Sequence, residues 1–229
     1  MGATSSVKED CYNEQGQLVL SNGASSFNLS NRNPYTFSDS WNKFTVLGCD
    51  TYSYMFGFIG DMTYAYMDAL NSVFGCTTVC NNSDMVTNVS CNGIGCCQMS
   101  IPKGIKSFGI GLNSYNSHSR VIHFNPCGYA FLADQKWFTF HGLSDLSGFI
   151  RRNNRGVPLV LDWVISNRRC EETRTTLDYA CVSQNSFCYE PTNGAPTVSH
   201  AQGLSALSYV EQSEGIKIVV EWVFANTPF

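Results

Sequence analysis

The sequence predicts a mainly β, antiparallel, disulfide-rich body with short helices. Three observations carry that reading. Turn signals are dense: Ser21-Asn22-Gly23, Asn33-Pro34, Asn92-Gly93, Asn125-Pro126 and Asn193-Gly194. The runs between such turns are short and rich in Val, Ile, Phe, Tyr and Thr, as strands prefer. The 229 residues also carry 11 cysteines, spread over most of the chain. Charged residues make up 14% of the chain, where about 25% is usual. That low charge, with 13% aromatic residues, excludes a disordered chain.

Element by element, strands are expected over residues 43–49, 85–91, 105–112, 119–124, 137–141 and 157–165. Residues 120–124 and 136–140 alternate apolar and polar side chains, the period of a half-buried strand. A helix is expected over residues 61–73, where Met62, Tyr66, Ala69, Leu70 and Val73 fall at helical spacing behind an Asp61 cap. A short helical turn is expected near residues 143–149. Composition shifts near residue 166. Residues 1–166 read as the main body, 167–194 as a small cysteine-bearing module and 195–229 as a cysteine-free, divergent tail.

The cysteines point to an oxidising compartment, because a reducing cytosol leaves scattered thiols little use. The disulfide candidates are Cys11, Cys49, Cys76, Cys80, Cys91, Cys96, Cys97, Cys127, Cys170 and Cys188. Zinc is the rival use, with Cys76, Cys80, Cys91, Cys96 and Cys97 as ligands, but the adjacent pair Cys96-Cys97 suits a single tetrahedral site poorly. Sequons at Asn28, Asn81 and Asn88 support a secretory route. The first residues carry no basic and apolar leader. Gly2 and Ser6 match the loose pattern for myristoylation, which reads as chance beside the cysteines and sequons.

A formal charge of −4 argues against a nucleic-acid partner. No apolar run approaches the roughly 18 residues of a membrane span. No nucleophile elbow, zinc helix, phosphate loop or kinase motif is present. His118, His123, His141 and His200 have no evident nucleophile beside them, and no catalytic residue, metal or cofactor is expected. The strongest binding feature is basic: six of the eight arginines fall within residues 151–174. Arg151, Arg152, Arg155, Arg168 and Arg169 are the candidate ligand-binding residues, since guanidinium groups pair carboxylates in a planar fork. The plain alternative is solvated charge on a loop before a strand. Tyr129, Trp137 and Trp163 could pack on sugar rings, although strand-like surroundings favour core burial for the two tryptophans.

Four segments carry a resemblance. They are Asn42-Lys43-Phe44-Thr45-Val46-Leu47-Gly48-Cys49-Asp50-Thr51; Cys91-Asn92-Gly93-Ile94-Gly95-Cys96-Cys97-Gln98 running into Ser100-Ile101-Pro102-Lys103-Gly104; Phe124-Asn125-Pro126-Cys127-Gly128-Tyr129-Ala130-Phe131; and Val157-Pro158-Leu159-Val160-Leu161-Asp162-Trp163-Val164-Ile165. In this order they closely resemble the extracellular region of plant wall-associated receptor kinases, over about residues 7–194. The resemblance implies a glycoprotein of the cell surface or cell wall and contact with acidic pectic polysaccharide such as oligogalacturonides. The alternative reading is a structural or protein-interaction ectodomain fragment, a kinase-less decoy that engages a co-receptor protein without binding carbohydrate. The resemblance also implies that Cys170, Cys181 and Cys188 open an incomplete EGF-like module. In that module's usual pattern Cys170 joins Cys188 and Cys181 is left unpaired, so the odd cysteine count reads as truncation. With no leader and no kinase, the chain reads as truncated at both ends: a fragment, an altered splice product or a gene-model error.

Overall fold

A computed structural model describes residues 2–23, 26–29, 35–58, 72–153, 156–163, 187–189, 200–202 and 217–219. Its strands are β1 (Gly2–Ser6), β2 (Lys8–Tyr12), β3 (Leu18–Asn22), β4 (Ser26–Asn28), β5 (Tyr35–Phe37), β6 (Asn42–Leu47), β7 (Asp50–Phe58), β8 (Ser72–Val79), β9 (Cys96–Ser100), β10 (Ser107–Ser114), β11 (Cys127–Asp134), β12 (Gly156–Trp163), β13 (Phe187–Tyr189), β14 (His200–Gln202) and β15 (Lys217–Val219). One helix, α1, spans Leu143–Asn153. All strand pairings described are antiparallel.

Three sheets build the body, in the orders β3-β2-β11-β6-β9, β4-β10-β7-β8 and β15-β1-β12-β5; a two-stranded ribbon, β13-β14, lies later in the chain. The β11 strand explains the layering. Its period of two sends Ala130 and Leu132 into one core cluster with Phe44, Met55 and Phe108. Tyr129, Phe131 and Ala133 enter the other, with Phe138, Leu146 and Phe149 beneath α1. A strand buried on both faces reads as a continuous apolar run rather than an alternating one, as Tyr129-Ala130-Phe131-Leu132-Ala133 does.

Eight cysteines pair as Cys11–Cys127, Cys49–Cys80, Cys76–Cys97 and Cys91–Cys96. The first joins register partners of β2 and β11. The third ties β8 to β9, and so one sheet to another. All the cysteines weighed as zinc ligands are bridged, which removes the thiolates that reading needs. Glu9 lies beside Cys11 and Cys127, but both sulfurs are taken up by their bridge, so the three do not make a metal centre.

The mainly β, disulfide-bonded class holds, and strands form at three of the expected runs as β6, β10 and β12. Three other runs are turns instead. Residues 83–85 form a 3₁₀ turn capped by Asn82, and Val89 has φ 66° within the following loop. Residues 119–124 coil because Asn116 and His118 give their amides to the Asp50 carboxylate, and Val121, Phe124 and Asn125 then close successive turns. Residues 136–140 leave β11 in a turn, where Trp137 and Phe138 donate to the Asp134 carbonyl. Of the expected helix over residues 61–73, residues 61–71 lie outside the described residues, and Ser72 and Val73 begin β8. The helical turn near residue 143 is α1.

Candidate functional site

Two of the segments that carry the resemblance, residues 42–51 and 124–131, meet in a buried knot. Asn125 is wholly buried, and its amide joins three stretches of chain. Cys49 N donates to Asn125 Oδ1 at 2.6 Å, and Asn125 Nδ2 donates to the carbonyls of Cys127 at 2.7 Å and Leu146 at 3.3 Å. Asn42 performs the same service between β6 and β12. Its Nδ2 donates to the Ser38 and Val160 carbonyls, and its Oδ1 accepts from Val160 N. Asp50 Oδ2 accepts from Ser114 Oγ at 2.7 Å and from the amides of Asn116 and His118 at 2.9 Å. Gly48, at φ +151°, turns the chain from β6 into β7, and a Cβ there would lie 1.9 Å from Thr51 Oγ1. No side chain fits that approach.

His118 is buried in the knot and stacks on Tyr12, with ring centroids 5.1 Å apart. Its Nδ1 lies 2.7 Å from the Asn125 carbonyl, which can only accept, so Nδ1 carries the proton. Nε2 then accepts from the Thr51 hydroxyl at 3.3 Å. Burial pushes the imidazole below its ordinary value; the Asn125 carbonyl and the Asp50 charge pull the other way. With both ring nitrogens engaged and solvent excluded, His118 is a structural histidine.

The arginine cluster divides. Arg151 and Arg152 end α1, both exposed. Arg152 reaches back along the helix to the buried carboxylate of Asp145, whose other oxygen accepts from His141 N at 2.6 Å. Arg151 Nη2 donates only to the Ser147 carbonyl, at 3.0 Å, and has no ion-pair partner among the described residues. Arg155, Arg168 and Arg169 lie outside the described residues, as do Cys170 and Cys181. Cys188 sits on β13, opposite Ala201.

The aromatic candidates divide as well. Tyr129 is buried against Phe149 and cannot meet a sugar. Burial first, and then the Glu9 charge, push its phenol up to about 12 against the opposing effect of Arg151 and Arg152. Trp137 is 39% exposed, contrary to the expected core burial, because the turn after β11 directs Phe138 and Phe140 inward instead. Lys136, next to it, lies over the ring of the exposed Trp41 at 4.1 Å. Trp163 lies on β12. Of the sequon asparagines, Asn81 and Asn88 are exposed and Asn28 is half-buried on β4.

One group was missed in the sequence. Tyr52, Tyr54 and Phe56 stand on one side of β7, while Thr51, Ser53 and Met55 between them are buried. The signal was available: aromatic residues at every second position from 52 to 58.

Residues 88–170 match the family model described as Wall-associated kinase. The chain carries a domain of the wall-associated kinase family. It is 35% identical to Wall-associated receptor kinase 2 of Arabidopsis thaliana over 185 residues, which is 80% of this chain and 22% of that protein. It is 31% identical to Wall-associated receptor kinase 3 of the same plant over 234 residues, 93% of this chain and 28% of the relative. Wall-associated receptor kinase 5 is 33% identical over 67% of this chain and 19% of its own length. The chain thus spans about a quarter of the length of the curated relatives it matches. No solved structure matches it. The knot residue Asn125, the cations Lys136 and Arg151 and the ring of Trp137 all fall within the span of the family domain.

Proposed function

We propose that the chain is a non-enzymatic extracellular recognition module of a wall-associated receptor kinase-like protein, acting at the plant cell wall or cell surface on acidic pectic polysaccharide. The observation that carries this reading is the family match over residues 88–170, a span that displays both cations and an open indole on its surface. Arg151, free of any carboxylate among the described residues, supports binding of a polyanion. Lys136, which lies over the exposed ring of Trp41, and Trp137, next to it in the chain and itself exposed, supply a cation and ring faces, the two features a galacturonate unit offers partners for. Residues 167–194 are proposed as a partial EGF-like module, with Cys170–Cys188 bridged and Cys181 unpaired. Asn81 and Asn88 are proposed glycan sites.

Titration calorimetry with oligogalacturonides at low salt tests the reading. Binding that weakens with salt, and weakens further in Arg151→Gln and Lys136→Gln, is the expected result. No heat with oligogalacturonides at low salt removes the acidic ligand.

A second reading, a protein-interaction ectodomain engaging a co-receptor, is favoured by one observation. Among the described residues the β3 strand is a sheet edge, and Leu18, Val19 and Leu20 along it are all exposed. Such an edge offers unpaired backbone groups to another strand. Pull-down of a surface protein that is lost in Val19→Lys, together with no affinity for oligogalacturonides, supports this reading over the first.

A further inference from the structure

The outward face of the β4-β10-β7-β8 sheet is built differently from every other surface described above. Tyr52, Tyr54 and Phe56 project from it along β7. Their register partners on β10 are Asn113, Gly111 and Gly109, and on β8 they are Thr77, Gly75 and Val73. The two β10 glycines let the rings lie down. A Cβ on Gly111 would sit 2.1 Å from Tyr54 Cζ, and one on Gly109 would sit 2.1 Å from Phe56 Cζ. The rings therefore occupy the space above the glycines and cover the strand rather than standing off it. Tyr54 and Phe56 are neighbours, with centroids 6.2 Å apart and planes 33° apart. Tyr115, from the loop after β10, extends the row: its ring lies 4.7 Å from Tyr52 and its hydroxyl 3.1 Å from Thr77 Oγ1. Even in place, Tyr54 is 42% exposed and Tyr115 53% exposed.

The charge of this face is as distinctive as its shape. Ser26 and Asn28 on β4, Ser107 and Asn113 on β10 and Thr77 on β8 are polar and neutral, Ser107 being buried, and the remaining positions of this parity other than Asp50 are glycine, valine or aromatic. Asp50 shares the parity of Tyr52, but it is buried under the hydrogen bonds of Ser114, Asn116 and His118. Among the described residues no cation stands here to meet a carboxylate. A galacturonate chain would bring its charges to a face that cannot neutralise them.

We infer that this face binds an uncharged, β-linked glucan chain, distinct from the acidic ligand proposed above. Flat hexose rings present rows of C–H groups that pack on the faces of aromatic rings. The phenol hydroxyls of Tyr54 and Tyr115 and the amide of Asn113 flank those rings with neutral hydrogen-bonding groups. Because the rings of Tyr54 and Phe56 lie down over the β10 glycines, they offer a low surface on which a linear chain can be laid. The inference stands on the geometry of the sheet and does not depend on Arg151 or Lys136.

The test titrates the full, disulfide-bonded chain with cellohexaose and, in parallel, with a galacturonic acid hexamer. Cellohexaose is expected to bind with little salt dependence. Tyr54→Ala is expected to weaken it about tenfold, and Tyr54→Trp to retain it. Gly111→Val keeps every ring but displaces Tyr54, and the same loss is expected. Arg151→Gln is expected to leave the cellohexaose affinity unchanged. If Tyr54→Ala disturbs folding, Tyr54→Leu covers Gly111 with an apolar group that lacks a ring face and serves in its place. Three results overturn the inference: no binding of cellohexaose by the wild type, equal affinity in the ring variants, or a concentration-dependent dimer that Tyr54→Ala dissolves. The last would assign the face to a second copy of the chain, and equal affinity would leave the rings a purely structural cover for their glycines. Failure of the galacturonate arm alone bears on the acidic ligand and not on this face.

Discussion

The buried knot around Asn125 and the open face of β7 lie at opposite ends of the same strand, and they use its residues in opposite ways. At Asp50 and Thr51 the chain is sealed by hydrogen bonds from a loop, a histidine and an asparagine. A few residues on, Tyr54 and Phe56 lie over glycines with much of the Tyr54 surface open to solvent. Three of the four segments that mark the family supply residues to the knot or to a disulfide beside it. None supplies a ring to the open face. A family signature can therefore be a record of how the scaffold closes, with the surface that meets ligand written elsewhere.

The comparison breaks most visibly if the scaffold does not depend on its long-range closures. Cys11 and Cys127 are 116 residues apart, and replacing both by serine is expected to cost about 5 kcal/mol on chain-entropy grounds. Cys91 and Cys96 are 5 apart, and their replacement is expected to cost about 2 kcal/mol. Urea unfolding of the two double variants checks the order. Equal losses would mean that native packing, not loop closure, decides the contribution of each bridge.

Asn125→Ala comes next. It leaves the Cys49 amide without its acceptor and withdraws the donor from the Cys127 and Leu146 carbonyls, around a side chain that is itself wholly buried. A loss of about 3 kcal/mol is expected. Chemical denaturation reads it, and a loss below about 1 kcal/mol would show that water replaces the amide. On the open face the matching truncation, Tyr54→Ala, is expected to cost only about 1 kcal/mol of stability, since that side chain is already half in solvent.

The contrast also explains what could be read in advance. The β class, the β6, β10 and β12 strands and the α1 turn follow from local composition and period. The turns at residues 119–124 and 136–140 do not, because their cause is remote or lies just upstream. Asp50, more than 60 residues away, draws the 114–118 loop into place, and the Asp134 side chain accepts from Lys136 N to fold the second turn. Within residues 136–140 Phe138 and Phe140 are buried and Trp137 faces out, the reverse of the core burial expected for that indole. The aromatic row on β7 is written in the sequence as a period of two, which by itself does not separate an exposed row from a buried one. Its meaning depends on Gly109 and Gly111, which only the register places beneath it.

The pH dependence of stability sharpens the comparison, because His118 belongs to the knot alone. Its burial lowers the folded pKa below the ordinary value of 6.5. The unfolded chain then binds the proton first, so the stabilisation is complete above about pH 6.5 and declines as pH falls toward the depressed folded value. The decline is at most about 1.4 kcal/mol per pH unit for one proton. Urea midpoints between pH 7.5 and 5 should show it in the wild type and lack that component in His118→Gln. Identical slopes in the two proteins would mean that His118 is solvated in the native state.

The smallest expected effects separate the two arginines of α1, which are adjacent in sequence and opposite in role. Arg152 pairs the buried Asp145 carboxylate, but its own side chain is 44% exposed, so solvent screening limits the stabilisation to about 1 kcal/mol. Arg152→Gln is expected to lower stability by that amount. Arg151→Gln is expected to change stability by less than about 0.5 kcal/mol, because its described partner is one helix carbonyl already within the backbone ladder's reach. In oligogalacturonide titrations the order reverses. Arg151→Gln should weaken binding and flatten its salt dependence, since it removes a cation that no carboxylate occupies among the described residues. Arg152→Gln should do less, because its charge is already answered inside the protein. Equal effects of the two variants on binding would mean that the ligand competes with Asp145 for Arg152, and the helix end would then act as one site of two cations.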